Sequence, residues 1–429
     1  MRNRGYLYRT LLSIMPVVFL AACSNGNPIS NVVNKEEQLK GNIEIWCSPD
    51  MKDNITYSAG LFSEKNPQLS IRVTAKSTDE VENDLKVENS AGQDYPDIIE
   101  DATSKVSYFQ KEYPDLLLDV GNEIKKLGDK LLPWKLQEVS IDKNSYAFPW
   151  NVDPEVILYN KVLADKYNIN PQDIKTWDDF IKFGDKLNAR DPEGVKLIEL
   201  KENSSGDLYK SMMRELRSGL YTNDGSITIP RDETLRALTK IKELYDKGLV
   251  YELKDEEDPL AVLKNGTALC MIADGGSIKK INDNQELQST KWQVERFPAF
   301  ESGGKNAVCG EGNALMVVKK SQQNDAVLKF IRFMLTDNES TLFFLKNSGM
   351  ITSVPDLYSL PLFNDKNDNY DEKMVWRFIA EESREESLIT YGYAYNSISK
   401  SLIQLEQDVI KGKDIDKAIK SKEEELNKP

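Results

Sequence analysis

The stretch YAFPWNVDPEVILYNKVL, residues 146–163, decides how the chain is divided. Val156-Ile157-Leu158-Tyr159 is a short apolar run of β-branched and aromatic residues, strand-like in length, that passes into a helix at Asn160. Ahead of it, Pro149-Trp150-Asn151-Val152-Asp153-Pro154 carries two prolines, each of which fixes φ and removes a ladder donor. The segment therefore reads as a loop set inside what is otherwise one strand. An interruption of this kind is expected where the chain crosses between two structural units, with Asn151 and Asp153 exposed between them.

On the N-terminal side, Ile43-Glu44-Ile45-Trp46, residues 69–75 and Asp97-Ile98-Ile99 read as strands, with helices over 55–65 and 78–89. This βαβαβ order implies a parallel, doubly wound α/β sheet, whose ligands sit beyond the carboxyl ends of the strands. The loops starting at Cys47 and Glu100 occupy that position. On the C-terminal side, Thr176-Trp177-Asp178-Asp179 reads as a helix start, with Thr176 as N-cap and Asp179 near the positive end of the dipole. Neighbours on a helix face different directions, so this acid pair reads as capping, not as paired catalytic carboxylates. Further strands fall at 195–200, 268–272 and 314–318, and helices at 230–247, 325–335 and around 415–426.

Asp274-Gly275-Gly276-Ser277 fits neither phosphate-binding glycine pattern and reads as a turn open to a ligand's approach. Residues 365–371 have the oxygen spacing of a calcium loop, but Tyr370 stands where glycine is needed and Trp376 where a bidentate Glu is needed. That segment reads as an exposed polar loop.

The first residues read as processing information. Arg2, Arg4 and Arg9 precede an apolar run from Leu11 to Leu20, too short to span a bilayer as a mature helix. Leu20-Ala21-Ala22-Cys23 resembles a bacterial lipobox, in which the Cys is diacylated and becomes the first mature residue. The polar stretch up to Lys40 then reads as a flexible tether. The formal charge of −14 argues against nucleic acid and against direct docking on anionic lipid. No later stretch reaches membrane-spanning length, so the body is expected to be soluble.

Histidine is absent. That removes His-dependent nucleophile activation, His general bases and His metal ligands. Cys47, Cys270 and Cys309 show no zinc spacing and read as small buried residues, with a Cys270–Cys309 disulfide left open. No cofactor or metal is expected. Trp46, Trp150 and the YGYAY run with Tyr391 and Tyr393 offer aromatic faces beside carboxylates and amides, a combination suited to a neutral polyhydroxyl ligand.

Several ordered signatures carry a resemblance over nearly the whole chain from Asn42 to Lys428. They are NIEIW with FSEKNPQLSIRV, then PDII, FPWNVDPEVILYNKVL leading to TWDDF, NGTALCMIADG, ALMVVKKS with AVLKFIRFML, LKNSGMI, and a terminal GKDIDKAIKSKEEELNK. In order and spacing the chain resembles the extracellular solute-binding lipoproteins of carbohydrate ABC importers, the family 1 group that includes maltose-binding protein. The resemblance implies a two-lobe periplasmic-binding-protein-like α/β fold joined by three crossovers, placed near 150–153, 297–300 and 335–337. It implies a leader over 1–22, a lipidated Cys and tether over 23–40, one lobe from 41–150 with 300–335, and the other from 151–299 with 336–429. Cys23 would anchor a monomer at the outer face of the cytoplasmic membrane. The lobes would capture a sugar or oligosaccharide and deliver it to the transmembrane subunits of a permease.

Carried over by position, Ser48 and Asp50 follow the first strand, Asp101 and Ser104 follow PDII, Asp153 lies in the crossover, and Glu202 follows a second-lobe strand. Asp274 stands near a Trp platform of maltose-binding protein, and with Asp101 this departure points away from maltodextrin. Glu311, Tyr391 and Tyr393 complete the expected contacts, with Trp46 and Trp150. The reading from another class is a cell-surface glycoside hydrolase or lyase with two carboxylates, for which the sequence supplies no recognisable acid and nucleophile pair.

Overall fold

The computed structural model describes residues 39–91, 95–192, 194–201, 206–219, 228–385 and 389–426. Two sheets organise them. The first has five strands in the order Gln68–Ala75, Lys40–Cys47, Ile98–Ala102, Asn313–Val317, Phe148–Pro149. The first three are parallel; the last two run antiparallel to their neighbours. Alternation along the strands sends Ile43, Ile45 and Leu315 to one face, against Phe62, Phe330 and Ile331. It sends Trp46, Ile99 and Met316 to the other, against Val81, Leu85 and Phe109. Both faces are covered by helices, as a doubly wound sheet requires.

The second sheet has the path Trp292–Glu295, Asn151–Asn160, Ala268–Ala273, Lys196–Lys201, Val250–Leu253. Its core likewise divides over two faces, one around Trp177, Phe180 and Leu238, the other around Trp292, Tyr358 and Ile379. The helix Trp177–Arg190 starts as its sequence requires. Thr176 Oγ1 accepts from Asp179 N at 3.1 Å while the Asp179 carboxylate accepts from Thr176 N at 3.1 Å, a reciprocal capping box.

The lobes are joined where strands hand over from one sheet to the other. Residues 149–154 are not a loop. Phe148–Pro149 belongs to the first sheet, Asn151–Asn160 is a ten-residue strand of the second, and Trp150 alone lies between them. Pro154 is tolerated because this part of the strand pairs with the short strand Val308–Gly310, where one missing donor breaks no long ladder.

The second crossing was expected at 297–300. Those residues instead lie inside the second lobe, with Phe297 in its core and Ala299 bonded in both directions to the start of the Trp177 helix. The chain crosses at Glu311-Gly312, between Val308–Gly310 on the long strand and Asn313–Val317 in the first sheet. The third crossing was expected at 335–337, but Asp337 caps the helix Asn338–Ser348, accepting from Ser340 N at 2.8 Å. That helix gives Phe344 to the first core and Leu345 to the second, and Ile351–Thr352 then pairs with Val152 and Asn151. All three passages therefore touch Asn151–Glu155.

Cys47, Cys270 and Cys309 are buried thiols, as their isolated positions implied; no disulfide joins Cys270 to Cys309. The Asp274 segment is not an open turn but the start of the helix Gly275–Asp283.

The lobes also meet backbone to backbone. A Cβ on Gly275, at the start of that helix, would stand 2.0 Å from the carbonyl oxygen of Gly349; one on Gly349 would stand 2.1 Å from that of Gly275. Neither position has room for a side chain. We expect Gly275→Ala to destabilise the protein by about 2 kcal/mol through overpacking, read as a lower urea midpoint at unchanged slope; an unaltered midpoint would contradict this contact.

Candidate functional site

The strand Asn151–Asn160 builds the centre of the site. Alternate side chains share a face, which places Asn151, Asp153 and Glu155 together. Asn151 Oδ1 accepts from Asn313 N at 2.6 Å and ties the strand to the second crossing. Asp153 lies against Gly310, where an added Cβ would come within 2.9 Å of its Oδ2. Glu155 accepts from the Ser211 hydroxyl and pairs with Arg214 at 3.5 Å. A cavity of about 390 Å³ opens between the lobes here, lined by Asp50, Asn151, Asp153, Asp274, Glu311 and Asn313 among others.

The cavity wall is locked by local chemistry. Asp274 Oδ1 accepts from Ser277 N and from Ser277 Oγ, both at 2.7 Å, and so caps the Gly275 helix. Glu311 accepts from Ser104 N at 2.5 Å. Behind the wall, Lys135 is fully buried; its ammonium donates to Glu138 at 2.6 Å, to Thr103 Oγ1 at 3.3 Å and to the Glu311 carbonyl. A buried charge needs such partners, and here they fix the backbone on which the Glu311 side chain is carried.

Burial sets the electrostatics. It pushes the Asp153 carboxyl up to about 8, and the nearby carboxylates of Asp274 and Glu155 raise it further against the pull of Arg214. Glu100, which accepts from Ser48 N at 2.8 Å and Ser48 Oγ at 3.0 Å, is raised by burial to about 7. Acids that hold a proton near neutrality can both donate to and accept from a neutral hydroxyl, and they repel each other less.

Of the expected contacts, Asp50, Asp153, Asp274 and Glu311 line the cavity together. Ser48 is turned to Glu100, and Asp101 accepts from Thr78 Oγ1 at 3.0 Å and from Ala102 N, so both are structural neighbours of the wall. Ser104 contributes its backbone N–H to Glu311. The expected aromatic residues lie apart from this cavity. Trp46 packs on the face of the first sheet covered by Val81 and Leu85, beneath the Lys76 ammonium at 3.6 Å. Trp150 is wholly buried edge-on to Phe344, at 5.5 Å. Tyr391 is buried against Tyr395, at 4.7 Å, and its carbonyl accepts from Ser107 Oγ of the first lobe at 2.6 Å. Tyr393 is half exposed near Lys111. None of the four lines this cavity. Glu202 and Cys23 lie outside the described residues.

Sequence reasoning missed Glu100, Lys135, Glu155, Arg214 and Asn313. For Glu155 the signal was present, in the polar alternation N-V-D-P-E, and was masked by reading the prolines as a loop. Lys135 and Arg214 carry no local signal, because only the packing of the lobes buries them.

Residues 60–369 match the family described as bacterial extracellular solute-binding protein. The chain belongs to that family. Two curated relatives are arabinooligosaccharide-binding proteins. That of Bacillus subtilis (strain 168) is 24% identical over 258 residues, covering 59% of each chain. That of Halalkalibacterium halodurans is 21% identical over 319 residues, covering 72% of this chain and 70% of the relative. Thus the match spans little more than half the length of the first. Among solved structures, the sugar-binding protein MalE of Xanthomonas citri superposes with a TM-score of 0.77 at 15% identity, over 90% of this chain and 96% of that one. An ABC substrate-binding protein of Listeria monocytogenes in complex with cycloalternan gives 0.71 at 20% identity, over 90% and 98%. These likenesses establish the two-lobe fold. Among the described residues, no helix is long and apolar enough to cross a membrane.

The titration of the site has a measurable sign. No histidine is present, so displaced carboxyls dominate the proton balance between about pH 5 and about pH 9. Asp153 moves up from 3.8 to about 8, so the folded protein keeps a proton there that the unfolded chain releases. Its contribution to stability is full below about pH 4 and is lost as pH rises through about 8. We expect the Tm of ligand-free protein to fall over this range and Asp153→Asn to flatten the fall; a Tm that climbs with pH would contradict it.

Proposed function

We propose that the chain captures a neutral sugar or oligosaccharide between its lobes, without altering it, and passes it to the permease subunits of an ABC importer. The observation that carries this reading is the convergence of Asp50, Asn151, Asp153, Asp274, Glu311 and Asn313, drawn from both lobes, on one cavity. Carboxyls and amides of this density match the hydroxyls of a sugar. The arabinooligosaccharide-binding relatives support the same class of ligand.

The mechanism is a population shift. A ligand that bridges both lobes stabilises the closed arrangement over the open one by its differential contacts. Rotation about the handover points, where Trp150, Glu311-Gly312 and the segment after Gly349 join the lobes, supplies the hinge. Lipidation of Cys23 would hold this body at the outer face of the cytoplasmic membrane, tethered by the polar stretch that follows it.

A thermal-shift screen against a panel of neutral carbohydrates tests the reading, since ligand at 100 times its Kd adds about 2.7 kcal/mol. We expect one or more sugars to raise the Tm and Asp153→Ala to abolish the rise while the variant remains folded. A panel without any shift, or release of new reducing ends from the ligand, would refute it. Cys23→Ser is expected to move the protein from the membrane fraction to the medium; unchanged retention would refute the anchor.

A further inference from the structure

A second cavity of about 360 Å³ shares Asp153 and Asp274 with the interlobe cavity. Its remaining lining belongs to second-lobe elements. Three strands, Lys196–Lys201, Val250–Leu253 and Ala268–Ala273, run parallel and present their carboxyl ends to it. In open parallel sheets this edge is where ligands bind.

The contents of the chamber point to a ligand. Glu199 is only 7% exposed, lines the chamber, and has no hydrogen-bond or ion-pair partner among the described residues. A carboxyl that lines a cavity without a protein partner is free to bond to a ligand there. Burial raises it to about 7, so it can donate as well as accept. Met271 forms part of the same wall and is almost wholly buried, which leaves a small apolar surface beside the acid. Two of the chamber's three cations are paired within the protein, Arg214 with Glu155 at 3.5 Å and Lys210 with Asp207 at 3.8 Å, and the third, Lys201, acts on Glu199 itself.

A sugar ring of about ten heavy atoms fills on the order of 150 Å³ at interior packing density. Each chamber thus takes about two rings, and one ring leaves most of either filled with water. Resting on the sugar reading above, we propose that the second-lobe chamber is an extension subsite. The ligand is a neutral oligosaccharide of three or more rings, clamped in part between the lobes and lodged in part beyond Asp153 and Asp274. Glu199 takes the hydroxyls of the lodged end, and Met271 meets its C–H face.

Titration calorimetry on the full chain, with arabinose and with linear arabino- and gluco-oligosaccharides of about two to six rings, tests this. Affinity is expected to rise with length and level off near about four rings. Glu199→Gln should weaken binding of the four-ring ligand about tenfold while leaving the two-ring ligand within about twofold. Met271→Trp, which fills the chamber, should give the same length-selective loss; the retained two-ring affinity reports that each variant is folded. Wild-type affinity already maximal with one or two rings, or both variants indistinguishable from wild type at every length, would overturn the extension subsite alone. Failure of every neutral sugar to bind would overturn the sugar reading and this inference with it.

Discussion

One strand has to serve two sheets. Residues 148–160 pair with the first sheet at Phe148 and Pro149, accept Ile351 and Thr352 at Val152 and Asn151, accept Val308–Gly310 at Asp153–Glu155, and finish as a full member of the second sheet. Every route between the lobes therefore meets this segment. Its alternation puts Asn151, Asp153 and Glu155 on one side, so the hinge and the floor of the cleft are the same residues. A rotation that opens the cleft is a rotation of the side chains that line it. In the proposed mechanism this strand couples binding to closure directly, with no relay between them.

The cost of this arrangement is a concentration of acids in a poorly solvated place. Asp153, Glu155, Asp274 and Glu311 crowd one region, and Lys135 and Arg214 are buried beside them as partial compensation. The compensation is incomplete, and Asp153 takes up a proton near neutrality. Burial displaces Glu100 and Glu199 into the same range. A proton on Asp153 lessens the mutual repulsion of these acids.

The fold was largely legible in the sequence because its signals are local. Thr176 and Asp179 announce a capping box by spacing alone, and the strands around Ile45, Val73 and Ile98 follow from β-branched alternation between helices. The crossings were harder. Pro149 and Pro154 are genuine loop signals, overridden because their strand segments meet only short partners. Phe297 and Asp337 sit at element ends, as a crossover would, yet one is held by core packing and the other by a cap. Four of the expected acids share the interlobe cavity, and the expected aromatics lie outside it. Asp50, Asp153, Asp274 and Glu311 are polar groups on a body that buries few of them, and they lie in or near strand ends and helix starts. Trp46 and Trp150 are large apolar side chains, and whether such a ring covers a ligand or fills a core depends on which helix lies over it. For Trp46 the decisive helix is Thr78–Ala91, whose packing no feature of NIEIW reveals.

The central claim is that two bodies, joined at one strand, tighten around the ligand they hold. Small-angle X-ray scattering of the protein with and without a carbohydrate that raises its Tm tests this most directly. The account predicts a smaller radius of gyration and a narrower pair-distance distribution in the bound state. Saturating ligand that leaves both unchanged would contradict it.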